Sequence, residues 1–247
     1  MIRQLFGAAV TRHVLILGLM VAALAAVPAS AQEFSQAASE THQPKTDVAG
    51  AIGDSIKLLM IEHGTRIAFQ EKTRRELRGP FWSDYRRSIR WPQTWEDSDS
   101  WVVNYLGHPI HGAAAGLIWL DHTGHAASRI SLKPSYWASR GWGAAFIAGY
   151  SLQFELGPLS EASIGNVGLH PEATGWVDHV VTPVGGFALL VAEDALDRFF
   201  VEWVERRTGN AVARAALRVL FGPARTMANL AESRAPWART TRPLRGR

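Results

Sequence analysis

The chain has 247 residues, of which 47% are hydrophobic and 19% charged. That is enough apolar material for a core and excludes wholesale disorder. Cysteine is absent, which rules out a disulfide scaffold, a thiolate metal site and a cysteine nucleophile. The formal net charge is +4, and charged or strongly polar residues interrupt the apolar runs too often for a conventional multi-span membrane protein.

The first segment has Arg3, Arg12 and His13 ahead of an apolar run from Val14 to Val27, then Ala29-Ser30-Ala31. A basic start, a short apolar stretch and a small-x-small site predict a cleaved secretory signal peptide over residues 1–31. An uncleaved anchor helix is the alternative reading. Residues 32–50 are polar and read as a flexible leader. The spacing of Ile52, Ile56 and Leu59 predicts a helix from Ala51 to about Leu77, stopped by Gly79-Pro80. The aromatic, proline-broken stretch from Phe81 to Trp101 reads as an ordered loop or short helix lying across the rest. A second helix is expected to start at His108-Pro109 and run to about Asp121, with a bald Gly112-to-Gly116 face for close helix contact. A third is expected from Tyr136 to Leu156, a fourth from Trp176 to Arg207 and a fifth from Ala211 to Leu220. The fold class is all-α: one compact bundle of about five helices over residues 51–230, with close Gly/Ala contacts and a disordered basic tail over 231–247.

Charge is unevenly placed. From Gly141 to Glu205 nine acids face a single base, Arg198, whereas from Arg206 to Arg247 ten arginines face a single acid, Glu232. A further basic run lies between Arg66 and Arg90. Such runs suit an anionic membrane or envelope lipid surface, and an exported protein has little occasion to meet nucleic acid. The competing reading is a solvated face with a floppy tail that neutralises the acidic middle. A protein partner or a homo-oligomer formed through exposed tryptophans is the third.

Ionisable groups concentrate among small and apolar residues in three segments, 104–112, 153–163 and 178–194. His108 and His111 are three apart at a helix start, and Glu155, Glu161 and Asp178 are the carboxylates that could join them. The five could bind a divalent ion, run general acid–base chemistry as a hydrolase or transferase acting on an envelope lipid or glycan, with a histidine as base or ligand and the acids as acid, ligand or orienter, or form a buried hydrogen-bond network that fixes helix packing. His-Glu-x-x-His, Gly-x-Ser-x-Gly and P-loop patterns are all absent, and no cofactor is specified. Glu193 falls on the apolar stripe of its helix, so it needs an Arg, a His or a cation beside it, or else a proton, whereas Asp194, Asp197 and Glu202 can reach water. Asp178 could serve as a helix N-cap. Asp121, His122 and His125 read as a solvated turn.

Asn104-Tyr105-x-x-His108-Pro109-x-x-Gly112, Phe154-Glu155 with Glu161 and Ser163, and Asp178-x-x-x-Thr182-Pro183-x-x-Gly186 together resemble a family of uncharacterised bacterial envelope proteins, a domain of unknown function. The resemblance covers roughly Phe81 to Asn229 and implies an exported, envelope-associated protein without assigning an activity. A fainter likeness is to the VanZ-like membrane proteins of glycopeptide resistance, although Asn104 stands where that pattern has an acid.

Overall fold

The computed structural model describes residues 46–77, 80–125 and 129–244. The expected signal peptide and most of the leader lie outside the described residues. Among the described residues the chain is all-helical, with eight helices of six residues or more rather than about five and no strand beyond a single bridge between Thr94 and Gly175.

Helix α1 spans Val48–Phe69, and Asp47 caps it by accepting from the Gly50 N–H at 2.9 Å. It therefore begins inside the stretch read as leader. It also ends early, because Gln70 is extended and separates it from α2, Glu71–Glu76. Helix α3, Phe81–Ser88, is tied down by the Tyr85 hydroxyl donating to the Leu156 carbonyl at 2.7 Å. Helix α4, His108–His122, follows a π-helical turn, Val103–Gly107, without a break. A residue before proline is ordinarily pushed out of the helical region, but His108 is not. His108 is helical, and its N–H reaches back to the Val103 carbonyl, the wide-turn geometry. Helix α5 is Pro134–Leu156 and α6 is Trp176–Leu196, with Pro183 inside it. A second π turn, Asp197–Val201, and a last turn, Glu202–Glu205, prolong α6, so its reach matches the sequence reading. Asn210 caps α7, Ala211–Leu220, and α8 is Pro223–Ala231.

Helix α4 is the axis of the bundle. Eleven of its fifteen residues are buried, including the whole Gly112-to-Ile118 run, and α1, α5, α6 and α8 pack around it. The α4–α6 crossing depends on glycine. A Cβ on Gly112 would lie 2.5 Å from the Thr182 carbonyl oxygen, and one on Gly186 would lie 3.0 Å from the Ala113 nitrogen. An apolar waist, with Leu58, Leu117, Ile118, Ile147 and Leu190 fully buried, separates a polar upper end from a polar lower end.

The lower end corrects two expectations. Asp194 does not reach water. Its Oδ2 accepts from Arg140 Nε at 2.9 Å and Nη2 at 2.6 Å and from the Tyr136 hydroxyl at 2.9 Å, while Oδ1 accepts from Arg225 at 3.0 Å. Asp197 pairs with Arg239 and Arg242, and Glu202 with Arg129 and Arg206. The tail is also not disordered through residue 244. Arg234 pairs with Asp121, Arg242 bridges to Glu205 at 2.9 Å, and the Asn229 amide donates to the Pro236 carbonyl at 2.9 Å. The acids of α6 attract guanidinium groups that lie far along the chain, and burial strengthens each pair. Glu193 meets its expected partners in a different form. Its carboxylate accepts from the backbone N–H groups of Ala224 at 2.7 Å and Arg225 at 3.1 Å, the free donors at the start of α8.

Candidate functional site

The upper end of the bundle draws its polar groups from α1, α4, α5, α6 and the segment between α3 and α4. That segment lies across the bundle, as the sequence suggested, and caps α6. The Trp176 and Val177 N–H groups donate to the Thr94 and Trp95 carbonyls at 3.0 and 2.9 Å. The same docking brings in Asp97, which accepts from the Asn104 amide at 2.6 Å.

Three of the five residues singled out in the sequence come together. His108 from α4, Glu155 from α5 and Asp178 from α6 are buried and present donor atoms within 4.8 Å of one another. His108 Nε2 lies 3.1 Å from Asp178 Oδ1, and its Nδ1 is 2.9 Å from the Thr182 hydroxyl. Asp178 is the third residue of α6 and points inward, so it is not the helix cap; Gly175 holds that position. His111 stands one turn further along α4. Its ring is 4.9 Å from that of His108, but it faces Glu62 at 3.9 Å. Glu161, in the one-turn helix Glu161–Ile164, is ion-paired with Arg66 of α1 beside the trio.

Sequence reasoning missed the contribution of α1. Glu62 accepts from the buried Tyr150 hydroxyl at 2.7 Å, and His63 stacks on Phe154 at 5.1 Å while approaching the Leu159 carbonyl at 3.2 Å. The test that isolated Glu193 also finds Glu62, which lies four residues after Leu58 and three after Leu59 on one helix face.

Burial governs the electrostatics. It pushes Glu62 up to about 8, holds Glu155 well above the carboxylate range with help from the nearby Glu161 charge, and raises Asp178 with help from Glu155, Glu161 and Asp97. It pulls His63 and His108 down to about 4 and lowers His111 well below its usual value. The upper cluster is thus built from imidazoles and carboxyls whose charged forms the interior disfavours. The opening beside Glu155, lined by Arg90, Ala162, Thr174 and His179 among others, has a volume of about 10 Å³, room for about one water.

Glu62 supplies a pH test. Its folded pKa, about 8, lies above its ordinary 4.5, so its contribution to stability is complete below about pH 4.5 and is lost as pH rises through 8. Glu62→Gln keeps the acceptor for Tyr150. The variant should flatten the fall in urea midpoint between pH 5 and 8.5, and an unchanged slope would mean that the folded protein holds Glu62 ionised.

No family model, curated protein or solved structure matches the chain.

Proposed function

We propose that this is an exported envelope protein that rests on, and partly in, a membrane face through the outer side of α5 and α6. The observation that carries the reading is the absence of exposed charge on both helices. Arg140 and Glu155 of α5 and Asp178, Glu193 and Asp194 of α6 are all buried. What faces outward is Trp137, Trp142 and Leu152 on α5 and, every fourth residue along α6, Trp176, Val180, Val184, Ala188, Ala192 and Leu196. Apolar surface of that extent marks an interaction site.

Its borders fit a lipid headgroup region. Lys133 and Arg129 stand at the start of α5, and Arg206 and Arg207 lie beyond α6, with the Arg207 guanidinium 3.8 Å over the Trp203 ring. Tryptophan beside arginine suits the boundary between acyl chains and headgroups. The segment Trp176–Glu205 is long and apolar enough to cross a membrane. Its inner side nevertheless carries buried ion pairs, and the rest of the bundle supplies charged arginine-rich surface. The outer side of α5 and α6 is apolar along its length, which matches contact with a membrane face, although Ile52, Ile56 and Met60 of α1 and Trp82, Trp91 and Trp101 are exposed elsewhere. Arg234, Arg239 and Arg242 are turned inward, so the headgroup contacts fall to the cations around Lys133 and Arg206 and not to those tail arginines.

Vesicle flotation tests the reading. The protein should float with phosphatidylglycerol-containing vesicles, and Val184→Glu or Trp142→Glu should weaken partitioning by about tenfold or more with the melting temperature preserved. Equal flotation of the variants, or a lipid-free dimer that sequesters Trp142, would overturn it.

A further inference from the structure

The upper cluster holds a carboxyl oxygen that no protein donor satisfies. Glu155 is 7% exposed and its Oε1 lacks a hydrogen bond, while Asp178, 4% exposed, has its Oδ1 3.1 Å from His108 Nε2 in an ion-pair approach that is not a well-formed hydrogen bond. An unpartnered oxygen is costly in an interior, and both carboxyls lie beside one imidazole. The geometry points to a binding site for one first-row divalent cation, of the zinc or manganese class, formed by His108, Glu155 and Asp178.

Several features of the surroundings fit a metal site. The three donors come from three different helices, α4, α5 and α6, whose tight glycine-dependent crossing fixes their separation. The Thr182 hydroxyl holds His108 Nδ1 at 2.9 Å, which sets the ring orientation and leaves Nε2 facing Asp178. An outer hydrogen bond of this kind is what orients a ligating histidine. One imidazole nitrogen with two carboxylates and no sulfur suits zinc or manganese. Asp97, held by the Asn104 amide, stands near as a further oxygen donor, and the opening of about 10 Å³ at Glu155 leaves room for one bound water. Arg66, the nearby cation, is ion-paired with Glu161 and also favours the ionised form of Glu155 from a distance. A second group of similar composition is Asp54, His122 and Glu232. There Asp54 is bonded to Lys57 at 2.7 Å and to His122 at 2.9 Å, and Glu232 is paired with Arg234. Each of its residues already has a protein partner, and it serves as the internal control.

The site does not depend on the membrane reading, and its test uses no lipid. The full-length protein, stripped with chelator, is titrated separately with Zn²⁺ and Mn²⁺ by calorimetry and by thermal unfolding. One equivalent of at least one ion should bind with a dissociation constant of 10 µM or tighter, on the order of the range for protein-held first-row ions, and should raise the melting temperature by about 5 °C at a hundredfold excess over that constant. Glu155→Gln and Asp178→Asn, which keep shape and remove charge, should each weaken binding at least about a hundredfold, on the scale set by losing a charged ligand. His122→Ala should leave it unchanged. Circular dichroism of each variant establishes its fold before titration. Wild-type protein that binds neither ion at that strength would overturn the proposal. So would Glu155→Gln and Asp178→Asn proteins that bind like wild type, or a site lost only in His122→Ala.

Discussion

Asp194→Ala should destabilise the protein by about 3–5 kcal/mol, the cost of leaving buried cations without their counter-charge. Arg140 is fully buried, and its Nε and Nη2 both end on Asp194. Arg225 reaches the other oxygen of the same carboxylate, and the Tyr136 hydroxyl completes the set. Removing the carboxylate takes the counter-charge from the buried Arg140 guanidinium, between α5, α6 and α8, and one of several from Arg225. Since a domain retains only about 5–15 kcal/mol of net stability, the loss should be plain in a urea titration as a lowered midpoint with the slope preserved. Asp194→Asn, which still accepts hydrogen bonds but carries no charge, should lie between the two. A variant as stable as the parent would mean that water reaches Arg140 and screens it.

The second large effect belongs to the α4–α6 crossing. Gly112→Val places carbon where the Thr182 carbonyl oxygen, its Cγ2 and Ile147 already stand at 2.5, 3.1 and 3.2 Å from the Cβ position alone. Backbone cannot move aside as a flexible side chain can, so the helices must separate. Overpacking of this kind costs about 1–3 kcal/mol or more, and valine adds its two methyl groups to the clash. Thr182 is also the partner of His108, so the crossing and the upper cluster are mechanically linked. Gly112→Val should therefore lower the melting temperature and also change the chemical environment of the His108 ring, which nuclear magnetic resonance reads directly. An altered melting temperature with an unchanged His108 signal would separate the two. Gly141, where an added Cβ meets nothing, provides the neutral comparison through Gly141→Ala.

Much of the helical layout is legible in local signals. Gly157-Pro158 stops α5, Asn210 and Gly222-Pro223 bracket α7, and Gly112, Gly116 and the alanines between them announce a helix approached closely from several sides. Three of the five candidate site residues, His108, Glu155 and Asp178, meet because each is an ionisable group on an otherwise apolar or small-residue face, where burial is the only way to close the core. Pairings between distant residues are not legible. Arg234 finds Asp121 across 113 positions, and Glu62 finds Tyr150 across 88. No spacing rule selects Arg66 as the partner of Glu161, or marks the arginine tail as part of the folded body. The composition of that tail resembles a disordered one until Asp197 and Glu205, two of the nine acids between Gly141 and Glu205, are counted as its partners. The break at Gln70 and the π turn before His108 likewise follow from tertiary fit, against what helix propensity or Pro109 would suggest.

The inward arginines also set the order in which the molecule can be finished. Asp197 and Glu205 meet Arg239 and Arg242, groups translated more than thirty residues after them. A nascent chain that has made everything through α7 still carries those acids without these two counter-charges at the base of its longest helix. The base is sealed last, so a chain halted just after residue 233 leaves Asp197 and Glu205 without either of those arginines.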